Sequence, residues 1–254
     1  MRVAVTTSRH AGPREEAAAR EAASRHGLPS VARRGRSLAS VAGACGAEAL
    51  LVLGARRAAL FMDGAERPWS PGMGELRLKR LRSGERTTRD AFLDAAGLRP
   101  GDAVLDATLG LGMDALVAAE VVGPGGRVLG VEASPALAAL VAEGLLRHPS
   151  DAARRIEIVA ADAAEVLARA APRSFDVVVF DPMFREPRPG APGFDVVRRL
   201  ADPRPLAPEL LARARIVARR WVVVKDGTPG CDLARLGLVP LPSARGAERL
   251  YARV

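Results

Sequence analysis

The feature that most constrains the fold is a predicted strand, glycine turn and helix that follow one another between residues 102 and 119. The apolar residues 103–105 lead into an acid, Asp106, and the next loop contains Gly110 and Gly112 before a run of strong helix formers. Two alternate glycines let the backbone approach a ligand closely, and the start of the helix offers unpaired N–H groups. This stretch therefore predicts a nucleotide-type pocket.

Two further predicted strands end in acids that belong near this loop. Residues 126–132 predict a strand ending in Glu132, 20 residues after Gly112, where a carboxylate can hold ribose hydroxyls. Residues 175–180 predict a buried strand that is followed by Asp181. Ligands of open α/β sheets bind at the carboxyl ends of the parallel strands, so three strand ends are expected to meet in one crevice.

Strands and helices alternate regularly through residues 86–254, which we expect to form one catalytic domain. This alternation predicts an α/β fold with a doubly wound, mostly parallel sheet and helices on both faces. The other predicted elements of this domain are helices ending at residue 96 and at 135–146 and 208–218, and strands at 156–159, 221–224, 237–240 and 249–254.

The chain before this domain has its own α/β pattern. Residues 1–63 predict a small N-terminal domain, with strands at 2–7, 47–53 and 58–62 and a helix at 13–24. Residues 64–85 predict a connecting segment whose helix carries leucines on one side and basic residues between them. Two readings of this helix stay open: a docking helix with a solvated basic face, or a lip that contacts nucleic-acid phosphates through Arg77, Lys79 and Arg80.

Composition limits the class of protein. With 254 residues, 48% of them hydrophobic, the chain can bury a full core. Cys45 and Cys231 do not imply a disulfide framework, and the histidines lack metal-ligand spacing, so neither disulfides nor a metal is expected. No apolar run reaches the ~18 residues of a membrane span, and the first residues do not resemble a signal peptide. We therefore expect a soluble cytoplasmic protein without a membrane partner.

The net charge of +9 has two explanations. A basic surface attracts phosphate at long range, which would indicate an RNA or DNA partner. However, Lys79 and Lys225 are the only lysines among many arginines, and alanine is abundant, as a GC-rich coding bias would produce. Charge alone does not decide between these two.

The glycine loop is compatible with two cofactors. Gly110, Gly112 and Ala115 satisfy the dinucleotide fingerprint, with Glu132 placed for an NAD ribose, so an NAD-dependent oxidoreductase is one hypothesis. In the dehydrogenase form, however, the first glycine follows the strand directly, whereas here Asp106 and three more residues intervene. An acid at the strand end followed by G-x-G resembles motif one of the class I S-adenosyl-L-methionine-dependent methyltransferases, and we favour this reading.

The tetrapeptide Asp181-Pro182-Met183-Phe184 is more informative. It resembles the D/N-P-P-Y/F motif of methyltransferases that act on exocyclic amino groups of bases, with Met183 in place of the second proline. Such an amine is a poor nucleophile because its lone pair is drawn into the ring. The Asp181 carboxylate and the Pro182 carbonyl could accept its two N–H bonds, while Phe184 stacks on the extruded base.

Together, T-L-G-L-G-M-D at residues 108–114, Glu132 and D-P-M-F resemble the bacterial small-subunit ribosomal RNA guanine-N2 methyltransferases and their uncharacterised relatives. The resemblance covers about residues 70–226 and implies a Rossmann-like fold, S-adenosyl-L-methionine as cofactor, and methyl transfer to a base amino group of RNA, guanine N2 of ribosomal RNA above all. The implied cofactor contacts are Asp106, Gly110, Gly112, Met113, Asp114, Glu132, Ala133, Asp162, Ala163 and Asp181.

The sequence departs from this family after the tetrapeptide, where Arg185 replaces a proline. We expect Arg77, Arg185 and Arg188 to contact phosphates of RNA or of the small ribosomal subunit. A third hypothesis, a non-catalytic RNA-binding protein that retains the methyltransferase fold, stays open because of this departure. Lys225 could line the pocket or close an ion pair with Asp226, and we favour the ion pair.

Overall fold

A computed structural model describes residues 1–84, 90–182, 198–243 and 247–254. Within these residues the chain divides into two compact units. The first contains Met1–Ser70 and Pro135–Pro149 with the described part of Ala191–Leu200, and the second contains the described residues of Pro71–Ser134, Ser150–Gly190 and Ala201–Val254.

The first unit contains a sheet in the order β1-β2-β3-β4. Its strands are β1 (Val3–Thr7), β2 (Ala49–Leu53), β3 (Ala58–Met62) and β4 (Ala65–Pro68), of which β1 and β2 are parallel and the later pairs antiparallel. Its helices are α1 (Pro13–Arg25), α2 (Leu38–Cys45) and α6 (Pro135–Leu146). Strand β2 is buried, since its residues Leu50 and Val52 pack with Val41 of α2 in an apolar core.

The strands and the first helix predicted for residues 1–63 are confirmed, but the predicted boundary falls inside a hairpin. Asp63 and Gly64 have φ angles of 53° and 73°, the left-handed values of a tight turn between antiparallel strands. This turn brings β4 back along β3, so the first unit extends to Ser70. The first unit also contains α6, which was predicted to belong to the catalytic domain. Helix α2 of this unit was not predicted.

The second unit contains a sheet in the order β10-β9-β8-β5-β6-β7. Among the described strands of this second sheet, only β10 is antiparallel to its neighbour. The strands are β5 (Ala103–Asp106), β6 (Arg127–Glu132), β7 (Ile156–Ala160), β8 (Phe175–Phe180), β9 (Ala218–Gly227) and β10 (Arg249–Arg253). The helices are α3 (Met73–Arg82), α4 (Ala91–Ala96), α5 (Met113–Val122), α7 (Ala163–Arg169), α8 (Pro208–Val217) and α9 (Cys231–Arg235).

The central strand β8 is buried on both faces. Val178 and Phe180 belong to a core with residues of α7, α8 and α9, while Val177 and Val179, which point to the opposite face, are also buried. Strand order reverses at β5, which lies between β6 and β8. The fold is therefore the predicted Rossmann-like α/β fold, whose ligand crevice lies at the carboxyl ends of the strands around this switch point.

Two predicted details differ from the structure. Residues 237–240 form no strand, because α9 has just ended and Gly237 adopts a left-handed φ of 67°. Ser70 followed by Pro71 predicts the start of the connecting helix, which begins at Met73 instead. Among the described helices, none is long and apolar enough to span a membrane.

The packing of Gly144 in α6 predicts a stability effect. An ideal Cβ on Gly144 would lie 2.2 Å from Cδ2 of Trp69, too close for any side chain. We expect Gly144→Ala to lower the free energy of unfolding by about 1–3 kcal/mol through overpacking, as measured by urea denaturation. Gly43→Ala is the control, because Gly43 also lies in a helix but has open space around its Cβ position.

A second variant tests the cause of this effect. In the background Trp69→Leu, the added methyl of Gly144→Ala meets a smaller side chain, so the two substitutions should destabilise by less than the sum of their separate effects. Additive effects would show that the close approach of Gly144 and Trp69 does not limit packing.

Candidate active site

The predicted glycine loop connects β5 to α5. Gly110 and Gly112 have φ angles of 54° and 77°, a left-handed conformation that other residues rarely adopt. Gly112 is the residue that immediately precedes the helix, so the first N–H groups of α5 lie at the loop. The sequence prediction of strand, glycine turn and helix is confirmed.

Backbone hydrogen bonds hold this loop across the end of the sheet. The N–H of Ala107 donates to the carbonyl of Val179 in β8, and the N–H of Leu109 donates to Val131 in β6, both at 2.9 Å. Gly130 leaves room for the Leu109 side chain, since an ideal Cβ there would lie 2.6 Å from Leu109 Cδ1. The loop is therefore fixed by both neighbours of β5.

Glu132 ends β6 beside the loop. Its Oε2 accepts the N–H of Gly110 at 3.1 Å and its Oε1 accepts the N–H of Ser134 at 2.9 Å. Burial raises the pKa of Glu132, and these N–H groups oppose the rise. Ala133 follows as an exposed residue. Glu132 thus lies beside the loop at the end of its strand, and the ribose contact implied by the resemblance stays a prediction.

Asp106 lies at the end of β5 and is almost fully buried. Its Oδ1 accepts the N–H of Thr108 at 3.2 Å. Burial raises the pKa of Asp106 to about 8, and the negative charges of Asp114 and Asp181 add to this effect. At neutral pH Asp106 therefore holds a proton in most molecules.

Asp114, in the first turn of α5, lies between two cations. Its Oδ1 accepts from Arg77 Nη1 at 2.5 Å and its Oδ2 accepts from Lys225 Nζ at 3.0 Å. Burial opposes ionisation, but Lys225 and Arg77 outweigh it and lower the pKa of Asp114 to about 2. Asp114 is therefore a buried carboxylate with both oxygens hydrogen-bonded to cations.

Asp181 follows β8 and is joined to the glycine loop by its backbone. Its N–H donates to Thr108 Oγ1 at 2.5 Å, and its Oδ2 accepts from Lys225 Nζ. Burial raises the pKa of Asp181, with Lys225 opposing and Asp114 adding to the rise. Pro182 follows and is half-buried. The two acids predicted at the ends of β5 and β8 thus share one site.

Asp162 and Ala163 lie one strand further out, where β7 leads into α7. Oδ1 of Asp162 accepts the N–H of Ala164 at 2.8 Å and so caps the helix, while Oδ2 pairs with Arg204 Nη2 at 2.6 Å. The hydrogen bond from Arg204, followed by that from Ala164, lowers the pKa of Asp162. The cofactor contact implied for Asp162 and Ala163 stays a prediction.

Arg77 does not have the surroundings expected of a phosphate contact. Besides Asp114, its guanidinium binds Asp90, with Nε to Oδ2 at 2.6 Å, and the side chain is only 18% exposed. Met113 packs against Gly74 at the start of α3. These contacts favour a structural role for Arg77, while the cofactor contact implied for Met113 stays a prediction. Three other predicted site residues, Phe184, Arg185 and Arg188, lie outside the described residues, as does Met183.

Two side chains at this site were not assigned to it by the sequence. Lys225 in β9 binds Asp114 and Asp181. It therefore lines the site and also forms ion pairs, so both readings offered for it apply in part. Its partners are not Asp226, the partner that the sequence suggested. Tyr251 in β10 pairs in register with Lys225 and is buried. The available signals were that Lys225 is one of two lysines and Tyr251 the single tyrosine.

Comparison with known proteins decides the family. The family model described as "Putative SAM-dependent methyltransferase" matches residues 74–235, more than half of the chain. This chain belongs to that family. It is therefore an S-adenosylmethionine-dependent methyltransferase. Of the two cofactors compatible with the glycine loop, the family assignment selects S-adenosylmethionine and not NAD.

The chain is also similar to individual proteins. The chain is 39% identical over 184 residues to the uncharacterized protein YpiP of Bacillus subtilis, covering 70% of each chain. It is 37% identical over 186 residues to the ribosomal RNA small subunit methyltransferase J of Alkalilimnicola ehrlichii, covering 65% of this chain and 68% of that one. A solved SAM-dependent methyltransferase from Aquifex aeolicus is 15% identical, with a TM-score of 0.44 over 73% of this chain and 98% of that chain.

Two features of the site fit S-adenosylmethionine. An ideal Cβ on Gly110 would meet nothing nearer than 4.0 Å, so the loop backbone is open to close approach by a ligand. Within the described residues, the three carboxyl groups of Asp114, Glu132 and Asp181 outnumber the two cations Arg77 and Lys225, even with Asp106 protonated. This excess of acid suits the positively charged sulfonium and ammonium groups of the cofactor.

The raised pKa of Asp106 predicts how stability depends on pH. Between about pH 4 and 8 the folded chain keeps a proton on Asp106 that the unfolded chain has lost, so the parent should lose stability as pH rises. Asp106→Asn removes this titration. As pH rises from 5 to 8, the free energy of unfolding of Asp106→Asn should increase relative to that of the parent by up to about 1.4 kcal/mol per pH unit. Urea denaturation of both proteins measures this difference.

Asp106→Ala is the matched control for this experiment. It also removes the carboxyl group but leaves a cavity, so it should be less stable than Asp106→Asn at every pH while showing the same slope. If the curves of parent and Asp106→Asn run parallel with pH, then Asp106 does not titrate in this window.

Proposed function

We propose that this methyltransferase acts on an exocyclic amino group of a base in RNA, with guanine N2 of small-subunit ribosomal RNA as the acceptor. Its place of action would be the cytoplasm. In this proposal Asp181 and Pro182 present the amine, Phe184 stacks on the base, and Arg185 and Arg188 contact phosphates.

The observation that carries the proposal is the setting of Asp181. Its backbone is held by Thr108 of the glycine loop and its Oδ2 by Lys225, whereas Oδ1 has no hydrogen bond to the part of the chain that the structure describes. The side chain is 27% exposed, so a ligand can reach it. A fixed carboxylate with one available oxygen beside the cofactor loop is suited to orient an N–H group.

The chemistry of a base amine explains why a carboxylate is useful. When bound, S-adenosylmethionine supplies an activated methyl group on sulfur that an amine can attack without a metal. Oδ1 of Asp181 would accept one N–H of the amine, and the Pro182 carbonyl would accept the other, which directs the lone pair away from both. As the nitrogen gains a bond it must lose a proton. Burial raises the pKa of Asp181, which makes its carboxylate a better proton acceptor.

The relatives support RNA as the substrate class. Several that match over about half of this chain or more bear the name ribosomal RNA small subunit methyltransferase J, among them the proteins of Alkalilimnicola ehrlichii and Halorhodospira halophila at 37% and 39% identity. The finer assignment to guanine N2 rests on the resemblance of residues 181–184 to D-P-M-F. The net charge of +9 is compatible with a polyanionic substrate.

The test is the variant Asp181→Ala. Because it removes the oxygen that orients the amine and accepts its proton, we expect methyl transfer to fall by about 100-fold or more. The assay uses methyl-labelled cofactor with small ribosomal subunits, and with the deproteinised RNA from them, taken from cells that lack this protein. Binding of S-adenosylhomocysteine, followed by calorimetry, should persist. Asp151→Ala is the control, since Asp151 is exposed and pairs only with exposed Arg154 among the described residues.

Nucleoside mass mapping identifies the product. RNA from cells that contain this protein should hold an N2-methylguanosine that is missing from cells without it. An unchanged set of modified nucleosides, or full activity of Asp181→Ala on RNA, would contradict the proposed function.

A further inference from the structure

Lys225 is the buried lysine of an arginine-rich chain. The sequence has 38 basic residues, of which only Lys79 and Lys225 are lysines, and Lys79 is exposed. The Lys225 side chain is 7% exposed and lies in β9. The neighbouring strand is β8, and Asp181 is the residue that follows β8. The compact ammonium group of lysine binds carboxylates as a point charge, whereas the planar guanidinium of arginine binds them through a rigid fork of donors. An arginine at this position would therefore bind the same carboxylates in a different geometry.

The ammonium group of Lys225 lies within a row of alternating charges. Asp90 binds Arg77, Arg77 binds Asp114, Asp114 binds Lys225 and Lys225 binds Asp181. Asp90 also caps α4, since its Oδ1 accepts two backbone N–H groups at 3.1 Å. The row therefore connects helices α3, α4 and α5 to strands β8 and β9.

The hydrogen bonds in this row distinguish its two inner carboxylates. Both oxygens of Asp114 are taken, by Arg77 and Lys225. Asp181 gives only Oδ2 to Lys225, and no group in the described ranges binds its Oδ1. The ammonium thus holds one oxygen of the Asp181 side chain and leaves the other available.

We propose that Lys225 is a positioning residue for methyl transfer, which holds Asp181 by Oδ2 so that Oδ1 accepts the N–H of the acceptor amine. This inference rests on the proposed function, because it assigns to Asp181 the presentation of the amine. Lys225 acts through Asp181 and takes no proton itself.

The charge of Lys225 is compatible with this role. Burial opposes its protonation, but Asp114 and Asp181 outweigh burial and raise the pKa of Lys225, so it remains an ammonium ion. Tyr251, its cross-strand neighbour in β10, lies on the same face and is buried with it. The proton released by the amine therefore goes to Asp181 or solvent.

The first experiment compares Lys225→Met with Lys225→Arg. Rates are normalised to the fraction of protein that binds S-adenosylhomocysteine, which removes any loss due to misfolding. We expect kcat for methyl transfer to RNA to fall by about 100-fold in Lys225→Met, with cofactor binding nearly unchanged and partial rescue in Lys225→Arg. Lys225→Gln, whose amide still donates to one carboxylate, replaces the Met variant if that variant does not fold. Arg169→Met is the control, because Arg169 is exposed and its ion-pair partner Glu165 is exposed as well.

The pH profile and a double variant separate positioning from simple stability. Without the ammonium group the pKa of Asp181 rises further, so the acid limb of the rate profile should move to higher pH in Lys225→Met. In the Asp181→Ala background, Lys225→Met should cause little further loss of rate, because it acts through Asp181. Independent, multiplicative losses or an unmoved acid limb would overturn the proposal.

A structural readout keeps this inference separate from the proposed function. A crystal structure of Lys225→Met should show the Asp181 side chain rotated away from its parental conformation. An Asp181 that keeps its conformation overturns the positioning role whatever the rates are. If instead the parent methylates no RNA while Asp181 rotates in Lys225→Met, the assignment of RNA as substrate is wrong. The conclusion that Lys225 positions Asp181 is then still supported. In protein labelled with ¹³C at lysine Cε, the Lys225 signal should shift in Asp181→Ala and not in Asp151→Ala.

Discussion

The buried ion pairs of Lys225 with Asp114 and Asp181 constrain the rest of this structure. Removing charges from water costs several kcal/mol per ion, which is recovered only when partners are close and well oriented. Strands β8 and β9 and helix α5 must therefore keep their relative positions, since a small displacement would leave a buried charge unpaired. Arg77 and Asp90 extend the same requirement to α3 and α4. The site is preorganised because separating its paired charges would leave buried charges without partners, which costs free energy.

The glycine loop adds a second, uncharged constraint on the same place. Its backbone is hydrogen-bonded to β6 and β8, and Thr108 accepts the N–H of Asp181. The glycine loop and the carboxylate that is proposed to present the acceptor are thereby fixed to each other through one side chain. The rate of methyl transfer depends on the alignment of the acceptor with the methyl group, so such a rigid connection of the two elements is a contribution that a protein can make to catalysis.

Much of the fold and the centre of the site could be predicted because their causes are local. Gly110 and Gly112 are needed for left-handed backbone, and acids at strand ends meet in a parallel sheet by topology alone. The charged row could not be predicted, since Arg77, Asp114, Asp181 and Lys225 lie far apart in the sequence and no periodicity relates them. Helix α6 was predicted as a helix, yet its membership in the first unit depends on Gly144, whose lack of a side chain admits Trp69.

The sequence by itself determined the alternation of strands and helices, the glycine turn and the identity of the acids, because these follow from side-chain periodicity and backbone sterics. Only the tertiary structure decided that Arg77 faces Asp90 and Asp114, that Asp106 is buried enough to hold a proton near neutral pH, and that Lys225 binds Asp181. The physical reason is that pKa values and ion pairs depend on distance and burial in space, which sequence separation does not measure.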